Sequence, residues 1–319
     1  MKIAFLYPGQ GAQFPGMAKD LYDHSSAVRH LFAAASEVAG RDMAELLFQG
    51  SEEDLKQTDN TQIAITVANL AAREVLQEFG ICSNVSAGFS LGEYASLVDA
   101  GVLESAAALR LVLHRGRIME SVSRRWDSGE ERAGMAAAMG LDLPEIESIL
   151  HRAGVDHAYP SLYNSPAQTV IGGTPEGLRA AADALKEGGI RRMRRLHVSG
   201  PFHTPLMEEA REQFTEHLHG VTFSHPAHPV YSNVTGAEVS DGEEARVFCL
   251  DQLVHTVRWT TEERTLLADG ADVLLEVGPG SVLQGLWSAV GKTDEQWPVD
   301  RVRTAGTLEE IETLAKELQ

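Results

Sequence analysis

The chain has 319 residues, 43% of them hydrophobic, enough for one large domain and a smaller one with a sizeable core. Asp and Glu (46) outnumber Lys and Arg (27), and the formal net charge of −19 repels a polyanion over most of the surface, which excludes general nucleic-acid binding. The apolar run at the N-terminus meets Pro8 and Gly9 after about five residues, too short for a signal segment or a membrane span, so a cytoplasmic location is expected.

In chain order, "KIAFLY" stopped by "PGQG" predicts a buried strand and a tight loop. "QIAITVANLAAREVLQEF" has apolar residues at helical spacing and stops before Gly80. "ICSNVSAGFS" reads as a strand running into a helix, "LGEYASLVDAG", and a further helix, "ESAAALRLVLHRGRIMESV", follows. Between Trp126 and Val198 the pattern changes to strand "MAAAMG", helix "LPEIESILHRAG", strands "AYPSLYN" and "QTVIGG", helix "TPEGLRAAADALKEGG" and strand "RRMRRLHV". That β-α-β-β-α-β order is ferredoxin-like. "HPVYSNVTG" and "DVLLEVGPG" then predict two more strands of the main sheet. The expected architecture is α/β: a large domain with a parallel sheet, residues 1–125 and 199–319, interrupted by a ferredoxin-like insertion over 126–198. Cys82 and Cys249 lie far apart without paired spacing, which gives no disulfide framework or zinc motif; both are expected to be buried small hydrophobes.

The chemistry centres on "GFSLG". A serine on a sharp strand-to-helix turn has its hydroxyl held up at the sheet edge, which makes Ser90 the candidate nucleophile. The Leu91 N–H, at the start of the next helix, faces where an oxyanion would form, and Gln10 in the "PGQGAQ" loop is the candidate second donor. A serine hydroxyl needs a general base. Of twelve histidines, most sit in polar or helical settings; His203 lies in "VSGPFHTPLM", an irregular loop held by Gly200, Pro201 and Pro205, from which a side chain can cross a site.

Together "YPGQGAQFPGM", "GFSLGEYASLVDAG", "HRGR", "YNSPAQTVIGG", "GPFHTPLM", "YSNVTG", "QLVHTVRWT" and "EVGPGSVLQGL" run in the order seen in one family. The chain resembles the malonyl-CoA:acyl carrier protein transacylases of fatty acid and polyketide synthesis. The resemblance implies an α/β-hydrolase-like fold with a ferredoxin-like insertion. It also implies a ping-pong transfer through a malonyl-Ser90 ester, with His203 as base and a backbone carbonyl of Gln252 orienting it in place of an aspartate. Arg115 takes the position that clamps the malonyl carboxylate, with Arg117 facing another side of the helix; Phe202 would border the malonyl α-carbon, and Asn164 matches a residue near the base. Phe89 stands where the family usually has histidine, a departure that bears on extender selectivity and on the balance of transfer and hydrolysis. The implied partners are malonyl-CoA and a holo acyl carrier protein, and the Ser–His scheme requires no metal or cofactor.

Arg191, Arg192, Arg194 and Arg195 concentrate positive charge in an otherwise acidic chain. They form either a docking patch for an acidic carrier protein or a charged edge strand that blocks aggregation. Two other functions compete with transfer. A hydrolase would release acyl groups to water, and a degenerate subunit would only dock carriers.

Overall fold

The computed structural model describes residues 1–196 and 198–318. Eight strands form two sheets: β1 (Ile3–Tyr7), β2 (Val85–Gly88), β3 (Gly134–Met139), β4 (Ala158–Ser165), β5 (Gln168–Gly173), β6 (Arg192–Arg195), β7 (Val273–Glu276) and β8 (Val302–Thr304). The first sheet has the order β2-β1-β7-β8 and is parallel throughout. A parallel sheet is covered on both faces, and this explains the unbroken apolar run of β1. Phe5 and Tyr7 point into one hydrophobic cluster with the helix Thr58–Glu78, while Ala4 and Leu6 point into another with Trp259 and Trp287.

The second sheet has the order β4-β5-β3-β6, antiparallel, as a β-α-β-β-α-β chain requires. The helices Leu143–Arg152 and Pro175–Glu187 cover one face, where Ala136, Ala138 and Ile171 bury against Ile146, Leu178 and Leu185. Alternate residues Met135, Ala137 and Val170 face the main core. The edge strand β6 is shorter than the pattern "RRMRRLHV" predicts, and His197 lies outside the described residues.

Two expectations are corrected. "HPVYSNVTG" contributes one parallel bridge, Val230 to Ser86, not a strand, because the chain turns back at Ser232, whose carbonyl accepts the Gly236 N–H at 2.7 Å. Cys82 is exposed, in the irregular connection ahead of β2; only Cys249 is buried. The short β8 has no counterpart among the predicted elements. Among the described residues no helix is long and apolar enough to cross a membrane.

Parallel pairing of β1 with β2, with Tyr7 opposite Gly88, puts the loops after both strands side by side at the carboxyl edge of the sheet. Their approach is too close for side chains. A Cβ on Gly9 would lie 2.3 Å from the Phe89 carbonyl oxygen, and one on Gly92 would lie 1.9 Å from that of Tyr7. Gly92→Ala is therefore expected to lower stability by about 2 kcal/mol or more, as core overpacking does, with a matching fall in Tm on thermal unfolding; an unchanged Tm would show that the two loops separate freely.

Candidate active site

Ser90 lies between the end of β2 and the helix Gly92–Asp99, and its φ of 51° is in the left-handed region that non-glycine residues avoid. The turn lifts Oγ to 2.7 Å from Nε2 of His203, a residue itself at φ 58°. His203 Nδ1 lies 2.6 Å from the backbone oxygen of Gln252. A carbonyl oxygen only accepts, so Nδ1 carries the proton and Nε2 presents its lone pair to the serine hydroxyl. Gln252 caps the helix Gly242–Asp251 at its C-terminal end, where backbone carbonyls lack helical partners and the helix dipole is negative. That carbonyl can orient the imidazole and also favour a positive charge on it.

The His203 loop is held from the inserted sheet. The Ser161 hydroxyl, on β4, donates to the Phe202 carbonyl at 2.7 Å, and β5 brings the Cα of Gly172 against Thr204 and Phe202. Burial, and then the nearby charge of Arg115, push the His203 pKa down to about 3 against the opposing bond to Gln252. The imidazole is thus neutral, the form in which it accepts a proton.

Arg115 is buried with only neutral hydrogen-bond partners. Its guanidinium donates to Gln62 Oε1 at 2.9 Å and Gln252 Oε1 at 2.8 Å, reaches to 3.5 Å from Ser90 Oγ, and stands 5.7 Å from the Tyr94 ring centroid. Its Nε has no partner, and among the described residues no carboxylate forms a salt bridge with it. A buried cation without a paired anion is costly, and a carboxylate bound beside Ser90 would relieve that cost. Burial lowers the Arg115 pKa from its usual value.

Behind the serine lies a buried polar layer. Gln252 Nε2 donates to the Ser90 carbonyl at 3.0 Å and to Glu93, while its Oε1 accepts from Arg115. Burial raises the Glu93 pKa to about 7 and holds those of Glu262 and Glu263 well above the carboxylate range.

The cleft in front of Ser90 is lined by Gln10, Phe89, Leu91, Arg115, Phe202 and His203, together with apolar residues such as Met119 and Leu162. The Gly92, Glu93 and Tyr94 amides close the first turn of the helix onto Phe89, Ser90 and Leu91, whereas the Leu91 and Gln10 amides have no protein acceptor among the described residues. Phe89 packs edge-on against Trp259, with centroids 5.4 Å apart, and gives the cleft an apolar wall beside the serine. Asn164 is placed elsewhere, at the β4–β5 hairpin, where its Nδ2 donates to Gln168 Oε1 at 2.9 Å; it does not line the cleft. Arg117 is exposed, one face removed from Arg115.

Sequence reasoning assigned nothing to Gln62, Glu93, Asn233 and Glu262. The available signal was polarity in apolar surroundings, as with Glu93 inside "LGEYASLV", but polarity alone does not say which partner a residue meets.

Comparison with known proteins bears on the whole chain. Residues 4–316 match the family model described as "Acyl transferase domain". The malonyl CoA-acyl carrier protein transacylase of Bacillus subtilis (strain 168) is 36% identical over 99% of this chain and 98% of its own length. That of Escherichia coli (strain K12) is 37% identical over 92% and 94%. Among solved structures, the transacylase of Coxiella burnetii superposes with a TM-score of 0.91 at 33% identity, covering 100% of this chain and 98% of the other. A malonyl-transacylase solved in complex with its type II PKS acyl-carrier protein superposes at 0.89 with 35% identity, covering 99% and 100%.

Because the Arg115 charge helps hold the His203 pKa down, removing it raises that pKa and shifts loss of the base form to higher pH. Modification of Ser90 by a small sulfonyl fluoride should persist well below pH 6.5, the ordinary histidine value, in the wild type. In Arg115→Gln its acid limb should move up, and in Arg115→Lys it should stay in place. A limb unmoved in Arg115→Gln would remove the charge from the account.

Proposed function

The chain belongs to the acyl transferase family, and we propose that it moves a malonyl group from malonyl-CoA to the phosphopantetheine thiol of an acyl carrier protein by way of a malonyl-Ser90 ester. The observation that carries this reading is the convergence on one hydroxyl. Ser90 Oγ stands 2.7 Å from the unprotonated nitrogen of His203, with a buried Arg115 beside it that pairs with no carboxylate among the described residues.

In the first half-reaction, Ser90 Oγ attacks the thioester carbonyl as its proton passes to His203 Nε2. The Leu91 and Gln10 amides receive the developing oxyanion. The C–S bond then breaks, and the imidazolium returns the proton to the coenzyme A sulfur. In the second half, His203 takes the proton of the carrier thiol, the sulfur attacks the Ser90 ester, and the ester C–O bond breaks as the proton returns to Oγ. The Gln252 carbonyl stabilises the imidazolium in both halves. Arg115 holds the malonyl carboxylate through two parallel bonds, which favours a carboxylated acyl group over acetyl. Phe202 and Phe89 give the bound acyl group apolar neighbours.

Incubation with malonyl-CoA followed by intact mass should show one malonyl adduct on Ser90 that disappears when holo carrier protein is added. Loss of the adduct to water without carrier would support the hydrolase, and no adduct would leave only a docking role.

Carrier docking is assigned to Arg191, Arg192, Arg194 and Arg195. All four are exposed on or beside β6, at the edge of the inserted sheet, where a basic strip on an acidic protein steers an acidic partner. Charge reversal at Arg192 and Arg194 should raise KM for the carrier roughly tenfold and leave KM for malonyl-CoA unchanged; an unmoved carrier KM would reduce the strip to protection of the sheet edge.

A further inference from the structure

We propose that Asn233 is the positioning residue of the nucleophile, holding the strained turn at Ser90 so that Oγ faces His203 before any acyl donor arrives. The proposal rests on the reading of Ser90 as the nucleophile. Asn233 belongs to the "YSNVTG" segment, to which the reaction scheme assigns no part. It sits in the turn that follows the single bridge at Val230, with no exposed surface.

Its side chain grips the elbow on both sides. Oδ1 accepts the Ser90 N–H at 2.6 Å, and Nδ2 donates to the Gly88 carbonyl at 2.7 Å. The second Nδ2 hydrogen goes to Glu262 Oε1 at 2.9 Å. Turning the amide over would set donor against donor at Ser90 and acceptor against acceptor at Gly88, so the orientation is fixed. The Asn233 backbone is anchored as well: its carbonyl accepts the Arg258 N–H at 2.9 Å, and its own N–H points to Glu93 Oε1 at 3.4 Å.

The need for a brace follows from where Ser90 lies. Sheet pairing of β2 ends at Gly88, and the helical bonds begin only with the amides of Gly92, Glu93 and Tyr94. The Ser90 N–H therefore belongs to neither ladder, and it is part-buried, where an unpaired donor is costly. A residue at positive φ is strained and persists only where its surroundings hold it. Without Asn233 the turn can relax toward ordinary backbone angles, and Oγ moves away from both Nε2 and the oxyanion donors. The Arg115 contact with the acyl carboxylate comes from a different helix and is left intact. Loss of Asn233 thus lowers the rate of acylation and spares affinity for malonyl-CoA.

The test is the single-turnover rate of Ser90 acylation at saturating malonyl-CoA, read by quenching and intact mass, beside the malonyl-CoA Kd by calorimetry and the Tm. Asn233→Ala should acylate on the order of 100-fold more slowly, with Kd within about twofold of wild type. Asn233→Asp keeps the acceptor for the Ser90 amide but sets a second acceptor against Gly88, and should fall between, at least about tenfold below wild type. Acylation by folded Asn233→Ala within about threefold of wild type, or a defect confined to Kd, would overturn the proposal. If the alanine variant does not fold, Asn233→Asp, which preserves the shape, decides: a wild-type rate overturns it. Peptide mapping of the wild-type adduct separates the two readings, because malonyl absent from Ser90 refutes the nucleophile itself, whereas a normal adduct with an indifferent Asn233 refutes only the brace.

Discussion

Arg115 keeps a full positive charge inside the protein with no carboxylate paired to it among the described residues, and much of the site is arranged around that constraint. Two side-chain carbonyl oxygens, of Gln62 and Gln252, solvate the guanidinium without neutralising it. The uncancelled charge is what an anionic acyl group meets on entering the cleft. The same charge acts on the base. Together with burial it keeps His203 neutral, the form that accepts a proton. A paired aspartate behind the histidine would oppose that effect, and the structure uses an uncharged backbone carbonyl there.

Gln252 links these functions. Its backbone oxygen orients His203, its side-chain oxygen accepts from Arg115, and its side-chain nitrogen reaches the Ser90 carbonyl and Glu93. A glutamine suits the place because one amide offers both an acceptor to a cation and donors to a carboxyl and a carbonyl. Ser90, His203 and Arg115 thus share one hydrogen-bonding residue at the end of a helix.

Ser90 and His203 both have positive φ although neither is glycine. The main sheet sustains the first through the packing of Tyr7 and Gly9 against the elbow. The inserted sheet sustains the second, through Ser161 and Gly172 against the Phe202–Thr204 loop. The cleft forms where these two sets of contacts meet, lined by the loops after β1 and β2 and by Met135 and Leu162 of the inserted sheet.

Local pattern made much of this legible. The unbroken apolar β1, the helices over Thr58–Glu78 and Ser105–Ser123, the alternation of the inserted sheet and the serine turn each follow from nearby residues, because periodicity and glycine placement are local properties. "HPVYSNVTG" misled as a strand because its apolar Val230 and Tyr231 look like strand residues, while the turn that ends it depends on hydrogen bonds within the folded chain. Cys82 misled because composition favours burial and its loop does not. By itself, then, the sequence determined the α/β architecture, the serine elbow and, through its resemblance, the residues expected to act together. Tertiary structure alone decided that Asn164 stands apart from the cleft, that Arg115 forms no salt bridge among the described residues, and that Asn233 reaches the elbow across more than a hundred residues of chain. The physical reason is that a buried polar group takes its role from whichever partners the fold brings within hydrogen-bond distance, and no local pattern records them.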